Sequence, residues 1–226
     1  MRAVIRANWL FALLLGIGAL VRLLAMIAYP PGLFFGDSWG YISTAYAGGS
    51  ITLPSLRPVG YSVLIRVLAV PGRSILTLAT IQHLAGLAIG TLVYLALVRA
   101  RVPRPVAAAA SALVVLDGYA ITLEQYVMSD TFFTATLLAC VLVLAWPRLA
   151  SRAPGRLTSP VLDQRTPIKR CALAGLLVAL ASLLREAGPF VVPVLLVYLL
   201  WSRAGWRALV AFILAAALPL LAYSAV

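Results

Sequence analysis

The feature that most constrains this chain is a succession of long apolar segments separated by short polar ones. Hydrophobic residues make up 63% of the 226 residues, charged residues only 11%, and the mean hydropathy is +1.04. This composition excludes a soluble globular domain. About 20 consecutive apolar residues span a bilayer as a helix. The sequence predicts helices at 7–28, 76–98, 105–118, 127–147, 171–184, 188–202 and 207–226. The expected fold class is all-α, a polytopic transmembrane helical bundle of about seven spans that forms a single module over 1–226.

The basic residues indicate how these helices are oriented. The chain carries 18 Lys and Arg residues against 6 Asp and Glu, a net charge of +12. The basic residues lie between the apolar segments and not on a patch with interleaved aromatics. This placement is typical of residues that determine topology and contact lipid headgroups. Nucleic acid is therefore not an expected partner. Most of the basic residues, including those of the basic loop 148–170, fall on the side of the N-terminus. We therefore expect a cytoplasmic N-terminus in a bacterial inner membrane, with 7–28 retained as a signal anchor.

The acidic residues show the opposite bias. A carboxylate near a bilayer is costly, so each one calls for a reason. Asp163 is expected on the inner side. The other five are expected at the outer ends of helices or in outer loops: Asp37, Asp117, Glu124, Asp130 and Glu186. This distribution predicts a polar site on the outer face.

The first outer loop, 29–75, is long and patterned. Some of its apolar residues recur at the spacing of one helical face: Trp39, Ile42 and Tyr46. We expect a short amphipathic helix at 38–48 in the membrane interface, ended by the glycines that follow it. A second apolar helix is predicted to start after Arg57-Pro58 and to run to about Val70.

Five motifs in this order carry a resemblance to a known family: Gly36-Asp37-Ser38-Trp39-Gly40-Tyr41, Leu56-Arg57-Pro58-Val59-Gly60-Tyr61, Gln82-His83-Leu84, the stretch 124–131 and the break 185–189. Together they cover nearly the whole chain. The sequence resembles membrane glycosyltransferases of the C superfamily, and within it the protein mannosyltransferase and aminoarabinose transferase branch, glycosyltransferase family 39. The resemblance implies a polyprenyl-phosphate sugar as the donor, a glycan, lipid or protein as the acceptor, and no cofactor.

The resemblance also implies roles for individual residues. Asp37 matches the family's catalytic carboxylate, which takes the proton of the acceptor hydroxyl. Arg57 and Arg185 match basic positions that face the lipid phosphate, where a guanidinium neutralises the charge of the leaving group. Asp130 matches a second acidic position that orders the first loop or positions the acceptor. With Tyr61 and Glu124, which lie in the matched motifs, these residues form the predicted substrate-binding set. Since arginines supply the positive charge, no metal is expected. The transfer is also expected to invert the anomeric configuration.

The charged residues also have structural interpretations. Asp37 is suited to cap the 38–48 helix, and Asp130 to favour the N-terminal end of the fourth predicted helix. Arg57 is suited to snorkel toward headgroups. Arg185 beside Glu186 is suited to a buried ion pair.

Polar and aromatic residues of the motifs have such interpretations too. His83, the lone histidine, is more typical of a hydrogen bond between packed helices than of a catalyst. The aromatic residues near the outer side are more typical of an interfacial belt than of a sugar-stacking platform: Trp39, Tyr41, Tyr61 and Tyr126.

Two departures from the family pattern bear on function. There is no Asp-x-Asp motif, which disfavours the metal-dependent oligosaccharyltransferase branch. The sequence also ends within an apolar run at Val226, as though it were the family's N-terminal module, so a C-terminal half or a partner subunit is expected. The alternative is a non-catalytic membrane protein such as a flippase, a transporter subunit or a scaffold. A transporter concentrates polar residues near mid-bilayer, whereas here they are expected at one interface.

Overall fold

The structure, a computed structural model, describes residues 7–46, 58–68, 74–150 and 167–224. These residues form ten α-helices: α1 (Trp9–Ala28), α2 (Gly36–Tyr46), α3 (Gly60–Leu68), α4 (Ile75–Arg99), α5 (Arg104–Val115), α6 (Gly118–Gln125), α7 (Asp130–Ala150), α8 (Ile168–Leu184), α9 (Val191–Trp201) and α10 (Trp206–Ser224). A 3-10 turn, Gly188–Phe190, precedes α9. The predicted all-α fold class is confirmed.

Four of the described helices are long and apolar enough to cross a membrane: α1, α4, α7 and α10. The helix predicted at 105–118 is instead a bent pair, in which α5 and α6 meet at 44° and together make a fifth candidate span. The bend has a local cause, because the Asp117 carboxylate accepts a hydrogen bond of 3.0 Å from the Tyr119 N–H and caps a new helix. A polytopic membrane protein is confirmed, while the count of seven spans stays a prediction, since α8 has 17 residues and α9 has 11.

The first loop contains the two short helices that the sequence predicts. The first of them, α2, begins at Gly36, two residues before its predicted start. The second is α3, which begins at Gly60 and is described to Leu68. The predicted end of the second helix at Val70 and most of the loop 148–170 lie outside the described residues.

The chain divides into two compact units, which are described separately. The first comprises residues 1–52 and 61–135, and in it α1 packs on α4 and α5, while α4 also packs on α6. The ring of Phe11 stacks on the ring of Tyr94 with centroids 4.0 Å apart. The Tyr94 hydroxyl donates to Asn8 Oδ1 over 2.6 Å. Polar groups near the start of α1 are thereby joined to the last turns of α4.

The second unit comprises residues 53–60 and 136–226. Its main contact is between α8 and α10. Gly175 permits this close approach, because a methyl group there would overlap the backbone carbonyl of Phe212. After α8 the chain folds back on itself, so that Gly188 lies against the backbone of Ser182. Residues 185–189 are therefore a compact turn between two helices.

Candidate functional site

In the first unit, a short connector, residues 126–129, joins α6 to α7. It pairs with the chain that follows α1 in an isolated parallel bridge between Leu33 and Tyr126. The Leu33 N–H donates to the Gln125 carbonyl over 2.9 Å, and the Val127 N–H donates to the Leu33 carbonyl over 3.1 Å. Backbone groups of the segment between α1 and α2 are thereby attached to the connector.

Asp37 lies in the first turn of α2, half-buried, directly after this bridged segment. Its interpretation as the helix cap is wrong, because the helix begins at Gly36. The capping exchange is made by its neighbours, since the Phe35 N–H donates to Ser38 Oγ over 2.9 Å and the Ser38 N–H donates to the Phe35 carbonyl over 2.9 Å. A carboxylate in the first turn still gains from the helix dipole.

The interior of the unit contains an ion pair that was not predicted from the sequence. Arg22, on α1, is only 2% exposed and meets Glu124 of α6 in a two-pronged contact, Nε to Oε2 at 2.7 Å and Nη2 to Oε1 at 2.8 Å. Its Nη1 donates to the Val115 carbonyl over 2.7 Å. Val115 ends α5, so its carbonyl has no partner within the helix. The guanidinium therefore joins both sides of the bend between α5 and α6.

His83 completes this interior network from α4. Its Nδ1 lies 2.8 Å from Glu124 Oε2 and its Nε2 lies 2.7 Å from Gln125 Oε1. The amide of Gln125 is oriented by Tyr29, whose carbonyl accepts from its Nε2 over 2.8 Å. The interpretation of His83 as a hydrogen bonder between packed helices is confirmed.

Gln82, next to His83, holds the connector from the same helix. Its Nε2 donates to the carbonyls of Glu124 and Tyr126 over 2.7 and 2.8 Å. Its Oε1 accepts from the hydroxyl of Tyr61 over 2.6 Å. Burial, and then the neighbouring Tyr41, raise the pKa of Tyr61 well above its ordinary value, so this hydroxyl keeps its proton as a donor.

The belt interpretation of the aromatic residues is wrong for two of them. Tyr41 and Tyr61 are buried, with their rings edge to face and 4.8 Å between centroids. The Tyr41 hydroxyl lies 3.5 Å from that of Ser129. Trp39, in contrast, is 67% exposed and stacks on Phe34, as a belt residue would. The two tyrosines are interior because their hydroxyl groups meet polar partners there.

Asp130, the first residue of α7, is half-buried beside a small cleft. The cleft has a volume of about 80 Å³ and is lined by residues that include Gly86, Glu124, Thr131 and Thr134. Gly86 leaves room for Glu124, because a methyl group there would overlap the carboxylate. Within the described ranges no group of three or more His, Cys, Asp or Glu side chains could hold a metal ion.

The structure thus brings four predicted site residues into one unit: Asp37, Tyr61, Glu124 and Asp130. The Tyr61 and Glu124 side chains are engaged inside the protein, and direct substrate contact by either stays a prediction. The predicted phosphate ligand Arg57 lies outside the described residues.

Arg185 belongs to the second unit, where it ends α8 in an extended conformation and is half-buried. Its N–H donates to the Ala181 carbonyl over 3.0 Å, and its own carbonyl accepts from Gly188 over 2.9 Å. Glu186 is exposed, so the interpretation of these two side chains as a buried ion pair is wrong.

Sequence reasoning missed several residues that hold this site: Arg22, Ser38, Gln82 and Gln125. One signal was available for Arg22, since an arginine inside an apolar span requires a buried partner. The other three are uncharged polar residues in apolar surroundings, and the sequence does not indicate which distant atoms they contact.

Comparison with curated proteins and with solved structures gives no match for this chain. A family model does match, that of the dolichyl-phosphate-mannose-protein mannosyltransferases, over residues 25–216. The match includes the helix that carries Asp37, the Glu124 network except Arg22, and most of each unit. It supports a membrane glycosyltransferase that uses a polyprenyl-phosphate sugar donor. The chain belongs to the dolichyl-phosphate-mannose-protein mannosyltransferase family.

Proposed function

We propose that this protein transfers a sugar from a polyprenyl-phosphate donor to an acceptor hydroxyl on the outer face of a bacterial inner membrane, with its N-terminus in the cytoplasm. One observation carries the proposal: in a chain of this family, Asp37 lies half-buried in the first turn of a short helix just past the first candidate span. Glu124, in contrast, is only 2% exposed. Of these two acids, Asp37 is the one that a substrate can reach.

The proposed reaction is a single displacement at the anomeric carbon. The acceptor oxygen forms the new glycosidic bond while its proton passes to the Asp37 carboxylate. The bond between the anomeric carbon and the phosphate oxygen breaks, and the electron pair leaves with the polyprenyl phosphate. Attack opposite the leaving group inverts the configuration at that carbon.

The leaving phosphate requires positive charge, which we assign to Arg57 and Arg185 on the basis of the sequence motifs. A guanidinium binds phosphate oxygens through paired donors and keeps its charge at any relevant pH. With both in place the step runs without a metal. Asp130 is assigned to the acceptor side. Glu124 and Tyr61 are assigned to substrate binding by way of the connector, which Glu124 precedes in the chain and which Gln82, the hydrogen-bond partner of Tyr61, holds.

The test replaces Asp37 with asparagine, which keeps the size of the side chain and removes its basicity. The purified full-length protein is reconstituted in proteoliposomes with radiolabelled polyprenyl-phosphate mannose and a peptide that contains serine and threonine. Labelled peptide and released polyprenyl phosphate are both measured, because the second product forms even when water is the acceptor. We expect Asp37→Asn to lower the rate by about 100- to 10,000-fold, the range for loss of a general base.

Asp117→Asn is the matched control, because Asp117 is exposed and asparagine also caps helices. It should keep the wild-type rate within about twofold, as expected for a surface change away from the site. A wild-type rate in Asp37→Asn would remove the proposed base. Absence of both products with the wild-type protein would instead favour the non-catalytic alternative.

A further inference from the structure

We propose that Ser38 is the positioning residue that holds Asp37 in its working direction. The inference rests on the proposed function of Asp37 as the base. It concerns a residue that contacts neither donor nor acceptor and acts through its neighbour in the chain.

The hydroxyl of Ser38 makes two hydrogen bonds inside the protein. Ser38 is 0% exposed, and its Oγ accepts from the Phe35 N–H over 2.9 Å and donates to the Val127 carbonyl over 3.0 Å. A serine hydroxyl has one donor and two acceptor sites, so these two bonds use its hydrogen and one lone pair. One small group thus ties the first turn of α2 to the connector.

The connector is itself fixed, which makes this bond a constraint on α2. The Val127 N–H donates to the Leu33 carbonyl, in the segment before α2, and the Val127 carbonyl accepts from Ser38 Oγ, in the first turn of α2. Gln82 holds the carbonyl of the preceding residue, Tyr126. Since Asp37 lies between two residues whose positions are set in this way, its Cα–Cβ direction is set as well.

The same connector leads directly into Asp130. Ser129 is buried and lies within 3.5 Å of the Tyr41 hydroxyl on α2. The two acids that the proposed reaction uses, Asp37 and Asp130, are therefore attached to one element by short contacts. Loss of the hydrogen bond between Ser38 and the Val127 carbonyl therefore frees Asp37 to move relative to the connector and to Asp130.

The helix offers a matched control in Ser43. It is exposed, and its hydroxyl donates to the Gly40 carbonyl within α2 over 3.1 Å. Ser43→Ala makes the same chemical change on the same helix without touching the connector. Ser38→Thr is the conservative variant, since it keeps the hydroxyl that Ser38→Ala removes.

The experiment measures kcat and the donor KM in the proteoliposome assay with polyprenyl-phosphate mannose, corrected for folded protein. We expect Ser38→Ala to lower kcat by about 10- to 100-fold, since a displacement of about 1 Å at a catalytic group costs up to 100-fold. The donor KM should change less than about threefold, because ground-state binding of the donor is untouched. Ser38→Thr should restore most of the lost kcat, and Ser43→Ala should keep the wild-type value.

A second comparison separates positioning from general damage. Ser38→Ala is added to Asp37→Asn, and the double variant should be no slower than Asp37→Asn alone, since there is no base left to misplace. An equal loss in both backgrounds would overturn the role of Ser38 and leave the base intact. Full activity of Asp37→Asn by itself would overturn the proposed function as well. If Ser38→Ala fails to fold, Ser38→Cys takes its place. Cysteine has a side chain of the same shape, but its sulfur forms weaker hydrogen bonds than the serine oxygen. The same single and double variants are then measured, with the same expectations.

Discussion

The buried pair of Arg22 and Glu124 gives the sharpest stability prediction. Replacing Arg22 with methionine keeps an unbranched apolar side chain of similar length and removes the guanidinium. Three contacts of 2.7 to 2.8 Å are lost, two to the Glu124 carboxylate and one to the Val115 carbonyl. The carboxylate, which has 3% of its side chain exposed, then stays inside without its cation.

The expected loss of stability in Arg22→Met comes from the buried charge that is left on Glu124, and not from the strength of the ion pair itself. Removing one partner of a buried ion pair typically costs about 3–5 kcal/mol, because the remaining charge is uncompensated. The lost donor at the carbonyl that ends α5 acts in the same direction. We therefore expect Arg22→Met to lower the free energy of unfolding by about 3–5 kcal/mol. The measurement is reversible unfolding in lipid–detergent micelles by a denaturing detergent.

The double variant tests whether this reasoning is correct. Glu124→Gln removes the carboxylate charge but keeps an oxygen that can accept from His83. Arg22→Met combined with Glu124→Gln leaves no uncompensated charge, so it should cost at least about 2 kcal/mol less than the sum of the single changes, within the range measured for coupled pairs. Arg22→Met combined with Glu186→Gln, an exposed carboxylate in the other unit, should be additive. Additivity within about 0.5 kcal/mol in the first pair would refute the compensated-charge account.

Two further predictions use the same unfolding assay. Gly18→Ala should destabilise the protein by about 1–3 kcal/mol, because its methyl group would overlap a valine at the end of α5, whereas Gly16→Ala on the same helix meets open space and should gain up to about 1 kcal/mol. Equal effects of the two changes would contradict the packing of α1. Tyr61→Phe should cost about 1–3 kcal/mol, because it leaves the buried Oε1 of Gln82 without its donor, while Tyr119→Phe at a 72% exposed position should be neutral. A neutral Tyr61→Phe would mean that this hydroxyl bond does not stabilise the fold.

The architecture of the spans was predictable because it depends on local composition. A run of about 20 apolar residues has few alternatives to a membrane helix, so α1, α4, α7 and α10 begin and end within a few residues of their predicted limits. The short helix α2 was predictable for the same reason, from a periodicity over a dozen residues. Its starting residue was not, because the cap is made by Ser38 and Phe35 and not by the acid between them.

The interior of the site was not predictable in this way. Arg22 and Glu124 are 102 residues apart in the chain, and the bridge between Leu33 and Tyr126 joins segments whose composition shows no strand pattern. The Asp117 cap at the bend between α5 and α6 is a local feature, but the partner of the Val115 carbonyl, Arg22, lies 93 residues away in the chain.

The sequence by itself determined that this is an all-α membrane protein, that Asp37 follows its first candidate span, and which family it resembles. Only the tertiary structure decided that Glu124 faces inward, that His83 and Gln82 hold a connector, and that Ser38 anchors the helix of Asp37. The physical reason is the range of the interactions. Hydrophobic length and helical period are properties of neighbouring residues, whereas a buried polar group needs a partner, and that partner is found only when distant segments pack together.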